Sequence, residues 1–355
     1  MRLTGSRPGP ARIAIRSIAA AAVVGALIAA SPASATITYE KGPNSSRPSI
    51  WVANDDGSGA HRLAGGRHGG DQPVIAPDGS AVLFTARTTA NPALAFVATS
   101  GGPVRILAHD IQSDYVWSPD SKTIAANVGS LPSKERLVLI DVASGQTRTV
   151  VRGDIEGVSF SPDGTRIVYA RGPAGRGFPG RTDIYTAPVA GGAPTRITSG
   201  HADTQPVWGP TTIAYAHYTK PKRRDDNPKS NIWLVNPDGS GRRQLTHQHA
   251  PFLLSGPTPL GWSADGKRLL AEFGGQDTSY GEGVDVATGK VHVLTHLRAV
   301  EFGLVAGGIS RDGRTVIGAT GGFDPGSGHN VVTVPFAGGK PKVLVRNAFA
   351  PTWND

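Results

Sequence analysis

Apolar and polar residues alternate in short runs along the chain, and one pattern of such runs recurs about every 45 residues. Each copy has a strand-like run, a turn and a second run. Five copies carry an aspartate in the turn: VIAPDGSAVLFTA (74–86), VWSPDSKTIAANV (116–128), VSFSPDGTRIVYA (158–170), LGWSADGKRLLAE (260–272) and GGISRDGRTVIGA (307–319). A sixth, PVWGPTTIAYAHY (206–218), lacks Asp-Gly. Because proline presets φ and glycine accepts the left-handed conformation, the pattern predicts a tight β-hairpin.

A second hairpin follows each of these. Its copies are IWVANDDGSGAHRLA (50–64), LAFVATSGGPVRIL (94–107), LVLIDVASGQTRTVV (137–151), DIYTAPVAGGAPTRIT (183–198), IWLVNPDGSGRRQLT (232–246), VDVATGKVHVLT (284–295) and VVTVPFAGGKPKVLV (331–345). Each repeat therefore supplies four strands, and four antiparallel strands per repeat of this length are typical of a β-propeller blade.

The two ends of the repeat region complement each other. ITYEK (37–41) matches the second strand of a repeat, and FAPTWND (349–355) matches the first. We predict that the last strand completes the blade begun at residue 36, which leaves no unpaired edge in the ring. First strands are expected near 71–76, 113–118, 156–161, 203–208, 257–263, 304–310 and 348–354. The fold class predicted is all-β, a seven-bladed β-propeller in one domain (36–355), with a six-bladed ring as the alternative.

These repeats resemble those of TolB-type, WD-repeat-like β-propellers, most clearly in IWLVNPDGSGRRQLT, IWVANDDGSGAHRLA and FSPDGTRIVYA (160–170). The resemblance extends over residues 36–355 and implies the propeller fold. TolB-like proteins usually carry a small α/β domain ahead of a six-bladed ring, whereas here the repeats begin at residue 36 and number seven. The same repeat occurs in periplasmic binding proteins, peptidase accessory domains and lyases, so it does not by itself define a function.

The first 35 residues have the order of a Sec-type signal peptide. Four arginines precede an apolar stretch (18–30), and Ala33-Ser34-Ala35 forms a small-residue cleavage site. The apolar stretch is too short to span a bilayer comfortably. We therefore expect cleavage after Ala35, a secreted or periplasmic mature chain, and no transmembrane segment after cleavage.

Composition and net charge limit the classes of partner that the chain is expected to bind. Removing residues 1–35 lowers the net charge from +9 to +5, and no basic stripe with interleaved aromatic residues is present, so nucleic acid is not an expected partner. The chain has no cysteine, so its stability must come from buried repeats rather than disulfides. We expect a monomer.

Acidic residues recur around the beginnings of the first strands: Asp71, Asp114, Glu156, Asp203 and Glu301. First strands line the central channel of a propeller, so these carboxylates are candidate binding residues at one channel mouth. Such a ring would attract a basic peptide or a cation, with Ca²⁺ or Mn²⁺ as candidates. The alternative is that each one caps a turn by accepting local backbone N–H groups.

Other sequence motifs could indicate catalysis, metal binding or a recognition surface. No G-x-S-x-G nucleophile motif occurs, so a hydrolase triad and its catalytic residues are not predicted. The turns at 54–57 and 236–239 lack the terminal glutamate of a full calcium loop. Trp117, Trp208, Trp262 and Trp353 share one repeat position and are expected in the core between blades. Three segments remain as candidates for function: the basic insertions at 171–182 and 217–230, and a longer connection at 249–254. The alternative is that they are merely tolerated insertions.

The sequence therefore favours a non-catalytic binding scaffold for an extracytoplasmic protein or a cell-wall ligand, with no cofactor. The alternative is a propeller enzyme, a carbohydrate lyase or hydrolase that uses a metal at the channel mouth.

Overall fold

A computed structural model describes residues 36–42, 48–87, 91–129, 134–173, 181–220, 222–223, 225–275, 279–295, 303–321 and 329–354. The predicted signal peptide (1–35) and Glu301 lie outside these residues. Within them, 28 strands form seven four-stranded antiparallel sheets, which are the blades of the propeller.

The strands follow one another from the inside of each blade to its outside. Blade 1 begins with β1 (Thr36–Lys41), β2 (Ser49–Asn54) and β3 (His61–Ala64), and a 3₁₀ turn (Gly66–His68) leads to the next blade. Blades 2 to 4 contain β4 (Gly70–Ile75), β5 (Ala81–Arg87), β6 (Pro92–Ala98), β7 (Arg105–His109), β8 (Ile111–Trp117), β9 (Thr123–Val128), β10 (Arg136–Asp141), β11 (Thr147–Arg152), β12 (Asp154–Phe160), β13 (Arg166–Gly172), β14 (Asp183–Pro188) and β15 (Thr195–Arg196).

Blades 5 to 7 contain β16 (Asp203–Trp208), β17 (Ile213–Thr219), β18 (Lys229–Val235), β19 (Arg243–Gln244), β20 (Leu254–Trp262), β21 (Arg268–Gly275), β22 (Ser279–Asp285), β23 (Val291–Val293), β24 (Val305–Ile309), β25 (Thr315–Thr320), β26 (Asn330–Pro335) and β27 (Lys342–Arg346). The final strand is β28 (Ala348–Trp353).

The ring closes as the sequence predicts. Strand β28 pairs antiparallel with β1, and the resulting sheet order is β28-β1-β2-β3. Ile37 lies opposite Trp353, and Lys41 lies opposite Ala348. The first blade is therefore shared between the two ends of the chain, and the prediction of seven blades is confirmed, whereas the six-bladed alternative is wrong.

Hydrophobic clusters fill the seams between neighbouring blades. In the seam between blades 2 and 3, Leu83 and Leu94 pack with Ile124 and Ile140, all of them fully buried. Six further clusters occupy the other seams. Each blade is thus buried on both faces, which matches the apolar runs of the second and third strands, and the ring depends on every neighbour pair.

The four tryptophans at the shared repeat position lie at these seams, as predicted. Trp117 is buried, and Trp208, Trp262 and Trp353 are partly buried against the clusters. The indole N–H of Trp262 donates to the carbonyl of Val207 in the preceding blade, at 3.1 Å. A Cβ atom on Gly209 would lie 2.7 Å from that indole, so glycine leaves the space the ring needs.

Most first strands contain a β-bulge near their beginning. The register shifts after Asp71 in β4, after Glu156 in β12 and after Thr204 in β16. The residue that follows the shift has a left-handed φ, 54° at Gln72 and 49° at Gln205. A bulge places two residues opposite one and redirects the side chains on either side of it.

The up-and-down order of the strands gives the ring two unlike faces. Connections from first to second strands and from third to fourth strands share one face, which we call the short-turn face. Connections from second to third strands and from one blade to the next share the other face, which we call the long-loop face. Every connection longer than seven residues lies on the long-loop face. Among the described residues, no helix is long and apolar enough to cross a membrane.

Candidate functional site

The acidic residues at the first strands occupy three different register positions. The four strands end at the same repeat position, which is Ile75, Trp117, Phe160 or Trp208. Asp71 and Glu156 lie four residues before that position, Asp114 lies three before it and Asp203 lies five before it. Since the bulges fall at this level, these positions direct their side chains differently. The structure groups the four described acids into separate local environments.

The first group joins blades 1 and 2. Asp71 forms an ion pair with Arg87, the neighbouring end of β5. Glu40 of β1 is 5% exposed, and its Oε2 atom has no hydrogen-bond partner among the described residues. Burial, followed by the charge of Asp71, raises the pKa of Glu40 to about 7. The charge of Arg87 lowers the pKa of Glu40, but burial and Asp71 outweigh it, so Glu40 titrates near neutral pH.

The second group joins blades 3, 4 and 5. Oδ2 of Asp114 accepts the backbone N–H of Gly157 at 3.1 Å, and the Oε2 atom of Glu156 accepts the hydroxyl of Thr204 at 2.5 Å. Burial raises the pKa of both carboxyls, and for Glu156 the charges of Asp154 and Asp114 add to the effect. Both bonds run to the following blade rather than to the residue's own turn. In these two cases the carboxylate acts as a link between blades.

Asp203 lies in a third environment, in blade 5. Its carboxylate is completely buried, and Oδ1 is 2.6 Å from Nδ1 of His217 and 3.5 Å from Nη2 of Arg242. Arg242 lies over the ring of Trp233, 4.8 Å from its centroid, and His217 meets the same indole edge to face. The buried carboxylate thereby fixes the orientation of the imidazole, an arrangement that suits a proton-accepting or ligand-binding histidine.

The described carboxylates and imidazoles do not converge as a set of metal ligands. No group of three or more His, Asp and Glu side chains within the described ranges is placed to hold one metal ion. The calcium-like turns use their acids internally: Asp56 accepts the N–H of Ser58 at 2.8 Å, and Asp238 that of Ser240 at 2.9 Å. These turns close hairpins on the short-turn face, as expected.

The basic insertion in blade 4 borders a cavity of about 410 Å³ on the long-loop face. We call it the blade 4 cavity; its lining residues are Arg171, Gly172, Pro173, Arg181, Asp183, Tyr185, Arg196 and His201. Asp183 is 5% exposed and accepts Nη2 of Arg196 at 2.6 Å. Its other contacts are to His201, whose backbone N–H lies 2.9 Å and whose Nδ1 lies 3.1 Å from the carboxylate.

The two insertions at 217–230 and 249–254 meet on the same face. Nζ of Lys229 donates at 2.8 Å to the carboxylate of Asp226 and to the carbonyls of Pro251 and Leu254. Asp226 also accepts the N–H of Leu253 at 2.9 Å. We call this arrangement the blade 5 clamp. It holds both segments in one ordered surface.

The blade 5 clamp displays an aromatic side chain. Phe252 is 48% exposed, and the guanidinium of Arg223 lies 4.9 Å from the centroid of its ring. Lys222 is exposed beside it. A large exposed aromatic ring under a cation is more characteristic of a recognition surface than of a tolerated insertion.

Sequence reasoning missed Asp183 and Glu40; it named the insertions at 217–230 and 249–254 as candidates, but not the contacts that join them. Asp183 begins the third strand of its blade, where the sequence shows only a copy of the repeat. Its partner His201 is 18 residues away, so no local motif joins them. Glu40 did carry a signal, since it is the single acid in the predicted strand ITYEK (37–41), and the structure buries residues 37–40.

Comparisons with solved structures give the same fold. TolB from Acinetobacter baumannii is 18% identical with a TM-score of 0.52, covering 91% of this chain and 67% of that chain. An oligogalacturonate lyase in complex with manganese is 17% identical with a TM-score of 0.58, covering 87% and 83%. A puromycin-hydrolyzing peptidase of Mycobacterium tuberculosis is 18% identical with a TM-score of 0.59, covering 89% of this chain and 54% of the peptidase.

No family model matches the sequence, and no curated protein matches it. This chain spans about half the length of the peptidase, so it is similar to part of that protein. At such identities the likeness concerns the fold alone. The chain has the β-propeller fold that is shared by TolB and by the propeller domains of peptidases and lyases.

Proposed function

We propose that the mature chain, residues 36–355, is a non-catalytic binding scaffold outside the cytoplasm, and that its ligand is a protein or a cell-envelope polymer. The observation that carries the proposal is the blade 5 clamp. Lys229 ties two insertions together, and the surface they form presents Phe252 under Arg223. Aromatic and arginine side chains dominate the energetic centres of protein interfaces.

The fold supports this use of the long-loop face. A closed ring of seven blades with seven buried seams is a rigid base, and its longer connections all lie on one side. Loops held by a rigid base bind with little loss of conformational entropy. The Sec-type signal of residues 1–35 supports the extracytoplasmic location, and we propose that the mature protein is a monomer.

The test is cosedimentation of purified 36–355 with a cell-envelope fraction of the source organism. We expect the double variant Lys222→Glu, Arg223→Glu to lower the bound fraction at least fivefold. The matched control, Lys267→Glu, Lys290→Glu, reverses the charges of two exposed lysines on the short-turn face and should bind like the wild type. Absence of wild-type binding, or equal loss in both double variants, would contradict the proposal.

The enzyme alternative has one observation in its favour, the buried Asp203 that orients His217. A similar chain is an oligogalacturonate lyase in complex with manganese. Incubating the wild type with polygalacturonate and Mn²⁺, and following the absorbance of the double bond that a lyase creates, separates the two functions. A binding scaffold gives no product; product that disappears in His217→Asn would replace the scaffold proposal with the enzyme.

A further inference from the structure

The blade 4 cavity combines three arginines with a single carboxylate. Arg171 and Arg181 lie near the two ends of the basic insertion (171–182), Arg196 ends the outer strand, and Asp183 is the one acid among the described lining residues. These described residues carry a net charge of +2 with His201 neutral. A volume of about 410 Å³ falls within the range of about 300–1,000 Å³ that is usual for small-ligand sites.

Asp183 holds Arg196 and His201 in place at the cavity. Its Oδ2 atom accepts Nη2 of Arg196 at 2.6 Å, and Nε of Arg196 donates to the carbonyl of Thr198 at 2.9 Å. The guanidinium is fixed by two acceptors and still has N–H groups to offer, since arginine carries five. His201 has a left-handed φ of 57°, and the bond from its backbone N–H to Asp183 holds it there.

Among the described residues, the other two arginines of the cavity, Arg171 and Arg181, have no such carboxylate partner. Arg171 lies opposite Asp183 in the register of β13 and β14, yet Asp183 directs its oxygens to Arg196 and His201. Within the described part of the chain, no carboxylate forms an ion pair with Arg171 or Arg181. The insertion, residues 171–182, contains no aspartate or glutamate in its sequence. Two guanidinium groups at one cavity therefore lack a counter-charge from their own surroundings.

We propose that the blade 4 cavity binds an oxyanionic group, a carboxylate or a phosphate, through the guanidinium groups of Arg171, Arg181 and Arg196. Arginine pairs with planar or tetrahedral oxyanions through two parallel N–H donors, which gives both strength and orientation. Tyr185 supplies an apolar wall; its ring stacks on Tyr169 at 6.0 Å between centroids and 14° between planes. A ring beside the cations suits an oxyanion carried on an organic unit such as an acidic sugar or a sugar phosphate.

This inference deepens the proposed function and rests on it for biological meaning, but its test needs only small anions. Wild-type 36–355 is titrated calorimetrically at constant ionic strength with inorganic phosphate and, separately, with glucuronate; glucose is the neutral reference. We expect saturable binding of at least one anion, at least tenfold weaker in Arg171→Ala, Arg181→Ala. The control Lys267→Ala removes a charge from a side chain that is 81% exposed on the short-turn face and should not change affinity.

The outcomes distinguish a phosphate ligand from a carboxylate ligand, and they distinguish anion binding from the proposed scaffold function. Binding of phosphate alone identifies a phosphate ester as the natural group, and binding of glucuronate alone identifies a uronate-like carboxylate. Failure of both anions to saturate the wild type, or equal affinity in the double-alanine variant, would overturn the inference. Because the cosedimentation test uses Lys222 and Arg223 of the blade 5 clamp, the proposed function can fail while anion binding stands, and the reverse also holds. A melting curve for each variant shows that the fold is intact.

Discussion

The buried glutamate of the N-terminal strand makes stability depend on pH. Burial raises the pKa of Glu40 from 4.5 to about 7 in the folded chain. Below pH 4.5 the residue is protonated in both states and its effect on stability is neutral. As pH rises towards 7 the unfolded chain loses this proton while the folded chain keeps it, so stability falls through that window. Each pKa unit corresponds to about 1.4 kcal/mol, which gives a loss of about 3 kcal/mol.

The substitution Glu40→Gln removes this titration and keeps the shape of the side chain. Relative to the wild type, the variant should gain stability as pH rises from 4.5 to 8, by up to about 3 kcal/mol. For a domain of this size that is about 4 °C in melting temperature. The groups around it, Asp71, Arg87 and Tyr115, stay in place in the variant, so the difference between the two curves isolates Glu40.

The assay is a set of thermal melts of wild type and Glu40→Gln between pH 4.5 and 8. Asp312→Asn serves as a control of opposite sign. Bonds from the N–H of Arg314 and the hydroxyl of Ser310 lower the pKa of Asp312 below its ordinary 3.8, so this variant should be less stable than the wild type by the same amount at every pH from 4.5 to 8. A difference between Glu40→Gln and wild type that is constant with pH would refute the reasoning.

Three further results are expected. Trp262→Ala should cost roughly 3–5 kcal/mol, because the indole fills a seam and donates to Val207, whereas a loss under about 1 kcal/mol in denaturant melts would contradict a structural role. Deleting 349–355 should destabilise the whole ring in the same melts, since β1 loses its partner; a small, local effect would show that closure is not needed. Calorimetric titration with Ca²⁺ and Mn²⁺ tests the acids of the first strands, and equal heats from wild type and the double variant Asp114→Asn, Asp203→Asn would end the metal version of that hypothesis.

The architecture was predictable because the sequence of each repeat determines its own turns and strands. Proline, aspartate and glycine fix the turn, and alternation fixes the two strands beside it, so four strands and their order follow from local sequence. Closure followed from two incomplete repeats at residues 37–41 and 349–355. These are short-range signals, and a repeated fold presents them seven times.

The site was less predictable because it depends on the bulges and on distant pairs. In sequence, an acid near the start of a first strand has the same place in every repeat, but the bulge after Asp71 and Glu156 separates their directions from that of Asp114. The bond from His201 to Asp183 joins residues 18 apart in sequence, and the bonds from Lys229 to Pro251 and Leu254 join two insertions that are separate in the sequence. No periodicity encodes such contacts.

The most direct test of the central claim is hydrogen–deuterium exchange of 36–355, alone and with the cell-envelope fraction. The long-loop face is the proposed binding surface, so we expect protection of 217–230 and 249–254 around the blade 5 clamp. The turns of the short-turn face, such as 236–242 and 310–314, should exchange at the same rate in both samples. Protection confined to those turns, or no change on either face, would contradict the account.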